Sequence, residues 1–228
     1  MTLYSSNTFR SASLINSAMV RVYNNMFLAV IVSMLTGMLV SSSPALMQFF
    51  FTGALKWVVI FAPLAAVFAL SFLQEKMSIP ALRLSLAGFS ALMGLSFAGI
   101  FIIYTVGSIV SAFMGAAILF GTMSFYGYFT RRDLSGMGQM LFVGLIAIIL
   151  ASIVNIFLGN SLFQMVISSL AILVFLGLTA YDTQRLRELI SYETDTQRAE
   201  IMGALSLYLN FINLFIHLLQ LFGVRKDN

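Results

Sequence analysis

The chain has 228 residues, of which 60% are hydrophobic and only 9% charged, with a formal net charge of +4. A soluble domain of this size needs a more polar surface, so the composition points to an integral membrane protein. Disulfides, thiolate metal sites and cysteine nucleophiles are excluded because there is no cysteine, and one histidine does not build a zinc site of the usual kind.

Residues 1–25 are polar, carry Arg10 and Arg21 and contain no acid. They lack the short apolar core and cleavage site of a secretory signal, and are read as a cytoplasmic tail; a mitochondrial transit peptide is the alternative. A single transmembrane domain is expected over 26–223, followed by a short tail, 224–228.

A bilayer core of about 30 Å needs about 20 apolar helical residues. Seven runs qualify: Met26–Val40, Leu55–Leu73, Leu82–Tyr104, Gly107–Phe129, Met140–Leu158, Leu162–Tyr181 and Met202–Phe222. Turn signals separate them at Ser41–Pro44, Met77–Pro80, Gly136–Gly138 and Gly159–Asn160. Pro63 falls inside the second run and is expected to bend it. Seven spans with a cytoplasmic N-terminus put Arg10, Arg21, Lys76, Arg83, Arg131, Arg132, Arg185, Arg187 and Arg198 inside. Only Lys56, Arg225 and Lys226 then lie outside, a strong positive-inside bias that places the C-terminus outside. The basic residues sit singly or in pairs between apolar runs, with no aromatic-basic patch, so no nucleic-acid partner is expected. Two rows of small residues, Ser90, Gly94, Ala98 and Gly107, Ser111, Gly115, predict close helix packing.

The seventh run holds the most informative pattern. Gly203, Ser206, Asn210, Asn213, His217 and Gln220 are spaced three and four apart, on one helix face. Amides facing lipid have no hydrogen-bond partners, so this helix is expected inside the bundle. Any one of these groups could simply bond a neighbouring helix. Along a whole span they are read as a polar path. His217 alone is read as a neutral hydrogen-bonder.

Asp182 is the one acid expected at membrane depth. Glu75, Asp133, Glu188, Glu193, Asp195, Glu200 and Asp227 are assigned to loops, helix ends or the tail. Thr194–Gln197 has capping-box spacing, so the last two helices should form a hairpin turning near residue 196. Asp182 and Asn210 are equidistant from that turn, and so at matching depth. An interfacial aspartate paired with Arg185 one turn on is the bland alternative.

Three ordered segments, FLGLTAYDTQRLREL, ALSLYLNFINLFIHLLQLFG and FGTMSFYGYFTRRDLSGMGQMLFVGLIAIILASIVNIFLG, resemble the Bax inhibitor-1 family in its bacterial inner-membrane branch. The resemblance runs from about Arg21 to the end. It implies a seven-helix fold with the last helix surrounded by the other six, and a pH-sensitive calcium leak. It also implies two aspartates that share a proton and gate the path. The first matches Asp182; the second position holds Asn210. An Asp–Asn pair lacks the like-charge repulsion that couples the titration of two carboxylates.

The same residues bear on other functions. Tyr181-Asp182 resembles the dipeptide of intramembrane aspartyl proteases, but that chemistry needs two carboxylates. No Gly-x-Gly-Asp or Gly-x-Ser-Gly occurs, and the last run has no lysine for a retinal-type pigment. No enzyme activity and no cofactor are expected. A non-conducting regulator that binds other membrane proteins is the alternative to a channel. Six to eight oxygens make a tight calcium site, so any cation contact at Asp182 and Asn210 is expected to be weak.

Overall fold

The computed structural model describes residues 11–192 and 196–226. Among these the chain is helical throughout: α1 (Ala12–Ser41), α2 (Pro44–Phe51), α3 (Leu55–Leu73), α4 (Ile79–Ile103), α5 (Val106–Phe129), α6 (Ser135–Leu158), α7 (Ser161–Tyr192) and α8 (Thr196–Phe222). All but α2 are long and apolar enough to cross a membrane.

Several boundaries differ from the apolar runs, for identifiable reasons. α1 begins at Ala12, not Met26, so residues 12–25 extend the first helix. Hydropathy marks where a helix meets lipid, not where it starts. α2 is an additional short helix, opened by Pro44 and capped by Ser43, whose hydroxyl accepts from the Leu46 N–H. α3 continues through Pro63, which is buried. Gly136 and Gly138 lie inside α6 rather than in a turn. Gly138 is there because a Cβ would meet the Tyr181 ring 2.4 Å away. The capping-box residues Thr194 and Asp195 lie outside the described residues. Other ends follow their sequence signals: Ser78 and Thr105 cap α4 and α5, and α6 stops at Gly159 in the left-handed region, φ 60°.

The last helix is central. In the most apolar window of α8, 61% of residues are buried, against 17–33% for the other spans. Its main neighbours are α1, α4, α5 and α7. α3 packs chiefly on α4, and α6 on α7. Those two outer helices therefore flank the ring around α8 and present Phe61, Phe68, Phe72, Leu150 and Phe157 outward.

Small residues set the closest approaches. The α4 row works as expected: a Cβ on Gly94 would lie 2.3 Å from the Ser33 carbonyl oxygen of α1. The α5 row does not. Gly107 and Ser111 are exposed and line an open groove beside Leu218. α5 instead touches α7 at Gly127, where a Cβ would lie 2.2 Å from the Ala180 carbonyl oxygen.

Arg21, Lys76, Arg83, Arg131, Arg132, Arg185, Arg187 and Arg198 gather at one end of the bundle. Lys56, Arg225 and Lys226 occupy the other. At that second end the chain beyond α8 pairs with the α4–α5 turn, through a Tyr104–Arg225 bridge and a Lys226 N–H to Ile103 C=O bond of 2.9 Å.

Candidate functional site: the polar seam between α7 and α8

α7 and α8 run antiparallel, and the polar face of α8 meets α7 along its length. At the arginine-rich end, the Asn210 Nδ2 donates to Asp182 Oδ2 at 2.7 Å, and the Ser206 hydroxyl donates to the same oxygen at 2.8 Å. The depth match read from the hairpin is thus a direct contact. Asn210 is buried and Asp182 half-buried. A hydrogen bond contributes about 0.5–1.5 kcal/mol, and about 1.5–3 kcal/mol where the acceptor is charged, so this pair of donors fixes the carboxyl group against α8.

Asp182 forms part of the wall of a cleft of about 490 Å3 that also includes Glu75, Arg185, Arg198 and Ser206. Arg185 is exposed and makes no ion pair with Asp182; its guanidinium shares the cleft instead. Gly203 is the contact point for Leu186, whose Cδ2 would lie 2.4 Å from an added Cβ. Among the described residues, Asp182 and Glu75 are the two carboxylates of the cleft, facing two guanidiniums. This lining does not assemble the oxygen shell of a tight calcium site.

His217 and Gln220 belong to a different cluster. Gln220 Oε1 accepts from Gln164 Nε2 at 3.0 Å and from the Ser168 hydroxyl at 3.1 Å. Asn155 Nδ2 donates to Gln164 Oε1 at 2.9 Å, and His217 Nδ1 lies 3.3 Å from the Ser168 hydroxyl. Phe175 stacks against the His217 ring, centroids 6.1 Å apart. Asn213 turns back to its own helix, donating to the Leu209 carbonyl at 2.8 Å. The stripe is therefore two polar clusters and not one continuous row. Between them α7 carries Ala171, Phe175 and Leu178, all buried.

Three features were not foreseen. Glu200 sits near a helix end as expected, but it is buried at 2% exposure and accepts from Arg21 Nε and Nη2, at 2.8 and 2.7 Å. It is the one salt bridge among the described residues. The signal was there: Glu200 heads the face of Ala204, Leu207 and Phe211, all apolar and buried. Second, Tyr208 is fully buried and shares a 2.6 Å bond with Ser33, whose hydroxyl also reaches the Ser90 carbonyl at 2.8 Å. Third, Arg198 donates to the Gln74 and Met77 carbonyls, tying the α3–α4 connection to α8.

Fold and seam together define a membrane-embedded bundle of seven spans around a polar-faced last helix, with one acid clasped between the final two. The sequence profile described as Inhibitor of apoptosis-promoting Bax1 matches residues 15–227, and the chain belongs to the Bax inhibitor-1 family. It is similar to the Inner membrane protein YbhL of Escherichia coli K12, 41% identical over 215 residues, covering 91% of this chain and 92% of that one. A Rickettsia prowazekii protein, RP147, is 36% identical over 214 residues, covering 92% and 90%. A protein of Borreliella burgdorferi is 35% identical over 218 residues, covering 93% and 94%.

Proposed function

We propose that this chain is a cation leak of the bacterial inner membrane, passing calcium, with Asp182 in its cytoplasmic gate. The observation that carries this reading is the double donation of Ser206 and Asn210 to one Asp182 oxygen beside an open cleft. The Bax inhibitor-1 membership, the bacterial relatives and the inner-membrane name of YbhL support it. The N-terminus is taken as cytoplasmic and the C-terminus as outside, supported by the gathering of arginines at the Asp182 end. Ser206 lines the path beside Asp182, and the buried Phe175 and Leu178 close it in this conformation; at the far end His217 and Gln220 tie α8 to α7. Arg185 and Arg198 at the mouth oppose cation entry, which suits a slow leak more than a fast channel.

Asn210 sets the pH behaviour. A single carboxylate titrates in one step, whereas two facing carboxylates titrate as a coupled pair. Calcium flux should depend less on pH between about pH 8 and pH 6 than in Asn210→Asp, which adds a second, coupled carboxylate. The test is calcium flux in proteoliposomes against pH for wild type, Asp182→Asn and Asn210→Asp. Flux altered several-fold in Asp182→Asn, with an unchanged melting temperature, supports the gate. No flux above empty liposomes at any pH, from folded protein, assigns the chain instead to a non-conducting regulator of other membrane proteins.

A further inference from the structure

A second charged cleft, of about 330 Å3, lies at the α5–α6 turn against α7, away from Asp182. Its lining includes Thr130, Arg131, Arg132, Asp133, Arg187 and Glu188. The turn is held from below by Gln184, which is 8% exposed. Its Nε2 donates to the Arg132 carbonyl at 2.8 Å, and its Oε1 accepts from the Leu134 N–H at 2.9 Å. Arg132 N–H also donates to the Thr130 hydroxyl at 3.3 Å. The backbone is thereby fixed, yet the Arg131 and Arg132 guanidiniums have no hydrogen-bond or ion-pair partner among the described residues. Arg187 is held in place, donating to the Tyr128 carbonyl at 2.9 Å and lying 5.0 Å over the Tyr128 ring.

The surroundings identify the ligand class. On α5, just before the turn, Phe125 and Phe129 are exposed at 67% and 62%, their rings 4.5 Å apart. The cleft therefore sits where a lipid-facing helix surface gives way to charge. Basic pockets at that depth suit lipid phosphates. The two acids narrow the choice. Hydrogen bonds from the Ser135 hydroxyl and N–H hold the Asp133 carboxyl below the usual carboxylate range, so it stays ionised at neutral pH. Among the described residues of the lining, three guanidiniums against two carboxylates leave one net positive charge. A phosphodiester, carrying one negative charge, neutralises it. A phosphomonoester carries about −1.5 to −2 at neutral pH and meets repulsion from Asp133 and Glu188.

We propose that this cleft seats the phosphodiester head group of an anionic glycerophospholipid. The phosphate meets Arg131 and Arg132, and the acyl chains run along Phe125 and Phe129. The test uses the full chain in detergent, offered lipids of matched acyl chains and read by native mass spectrometry. Phosphatidylglycerol should be retained at least fivefold over phosphatidylcholine and over phosphatidic acid. Arg131→Gln with Arg132→Gln should remove that preference at unchanged melting temperature, and Arg131→Gln alone should weaken it. Arg225→Gln, at the opposite end, should keep it. A preference that survives the double variant, or equal retention of phosphatidylcholine, overturns the proposal. So does displacement of the lipid by the soluble head group glycerophosphoglycerol, which would make the ligand a free phosphodiester.

Discussion

The two ends of the α7–α8 seam carry polar residues at the same helical spacing and do different chemistry with them. At the Asp182 end an ionisable acceptor collects two neutral donors and is one wall of an open cleft. At the Gln220 end, amides, a hydroxyl and an imidazole bond one another in a closed set. Spacing tells which residues face inward; the mix of donors and acceptors decides whether they satisfy each other or leave a group that responds. The contrast extends to packing. α5 is pressed on α7 near Asp182 at Gly127, and stands apart near the other end, where Gly107 and Ser111 border a groove.

The strongest break to that contrast is Gly127→Leu. Its side chain would have to enter the Ala180 backbone, so loss on the order of 3 kcal/mol or more is expected, read as failure to purify as a folded monodisperse species. Gly107, with nothing within 4 Å of an added Cβ, should accept alanine and gain stability. Equal tolerance at the two glycines would remove the packing half of the comparison.

Asp182→Leu comes next. It leaves the Ser206 and Asn210 donors without their acceptor, at a cost of about 2–3 kcal/mol, and should change flux in proteoliposomes. An unchanged flux with only a lower melting temperature would make the two ends alike, both structural. Arg21→Ala should cost about 2 kcal/mol, because Glu200 then lies buried and unpaired, discounted for the half-exposed arginine. A fall of roughly 4–8 °C in melting temperature is the expected reading. Arg21→Ala with Glu200→Leu should recover most of it. The smallest effect is Gln220→Leu. It removes the acceptor for Gln164 and Ser168 in an exposed position, for about 1 kcal/mol and no change in flux. A changed flux there would extend the responsive region across the membrane.

Much of this was legible in the chain because lipid punishes unpaired polar groups. The seven spans and the inward face of α8 follow from that one constraint, and the Asp182–Asn210 contact from the hairpin that sets both at one depth. What stayed hidden depended on partners far apart in sequence. Glu200 reads as a loop or helix-end acid, and only the fold sets Arg21 of α1 beside it. Ser33 and Tyr208 are ordinary residues whose bond exists only because Gly94 lets α1 come close. Gly107, Ser111 and Gly115 show the converse: a spacing that permits close packing does not say that a helix will be there. The division of the α8 stripe was equally invisible, since Asn213 fits the period yet bonds its own backbone.

The order of synthesis gives the central position of α8 a further consequence. The helix that fills the middle is made after the six spans that it joins. Until it emerges, Asp182 lacks its two donors, Ser33 lacks the Tyr208 hydroxyl and Arg21 lacks Glu200. The earlier spans pack in pairs, α1 on α4 and α5 and α6 on α7, around a centre that α8 alone fills. Entry of the last helix, pinned at its far end by the Tyr104–Arg225 bridge, closes that centre in one late event. A chain ending before Thr196 would keep the packing of α1 on α4 and of α5 and α6 on α7, and would lack every bond to the helix that fills the middle.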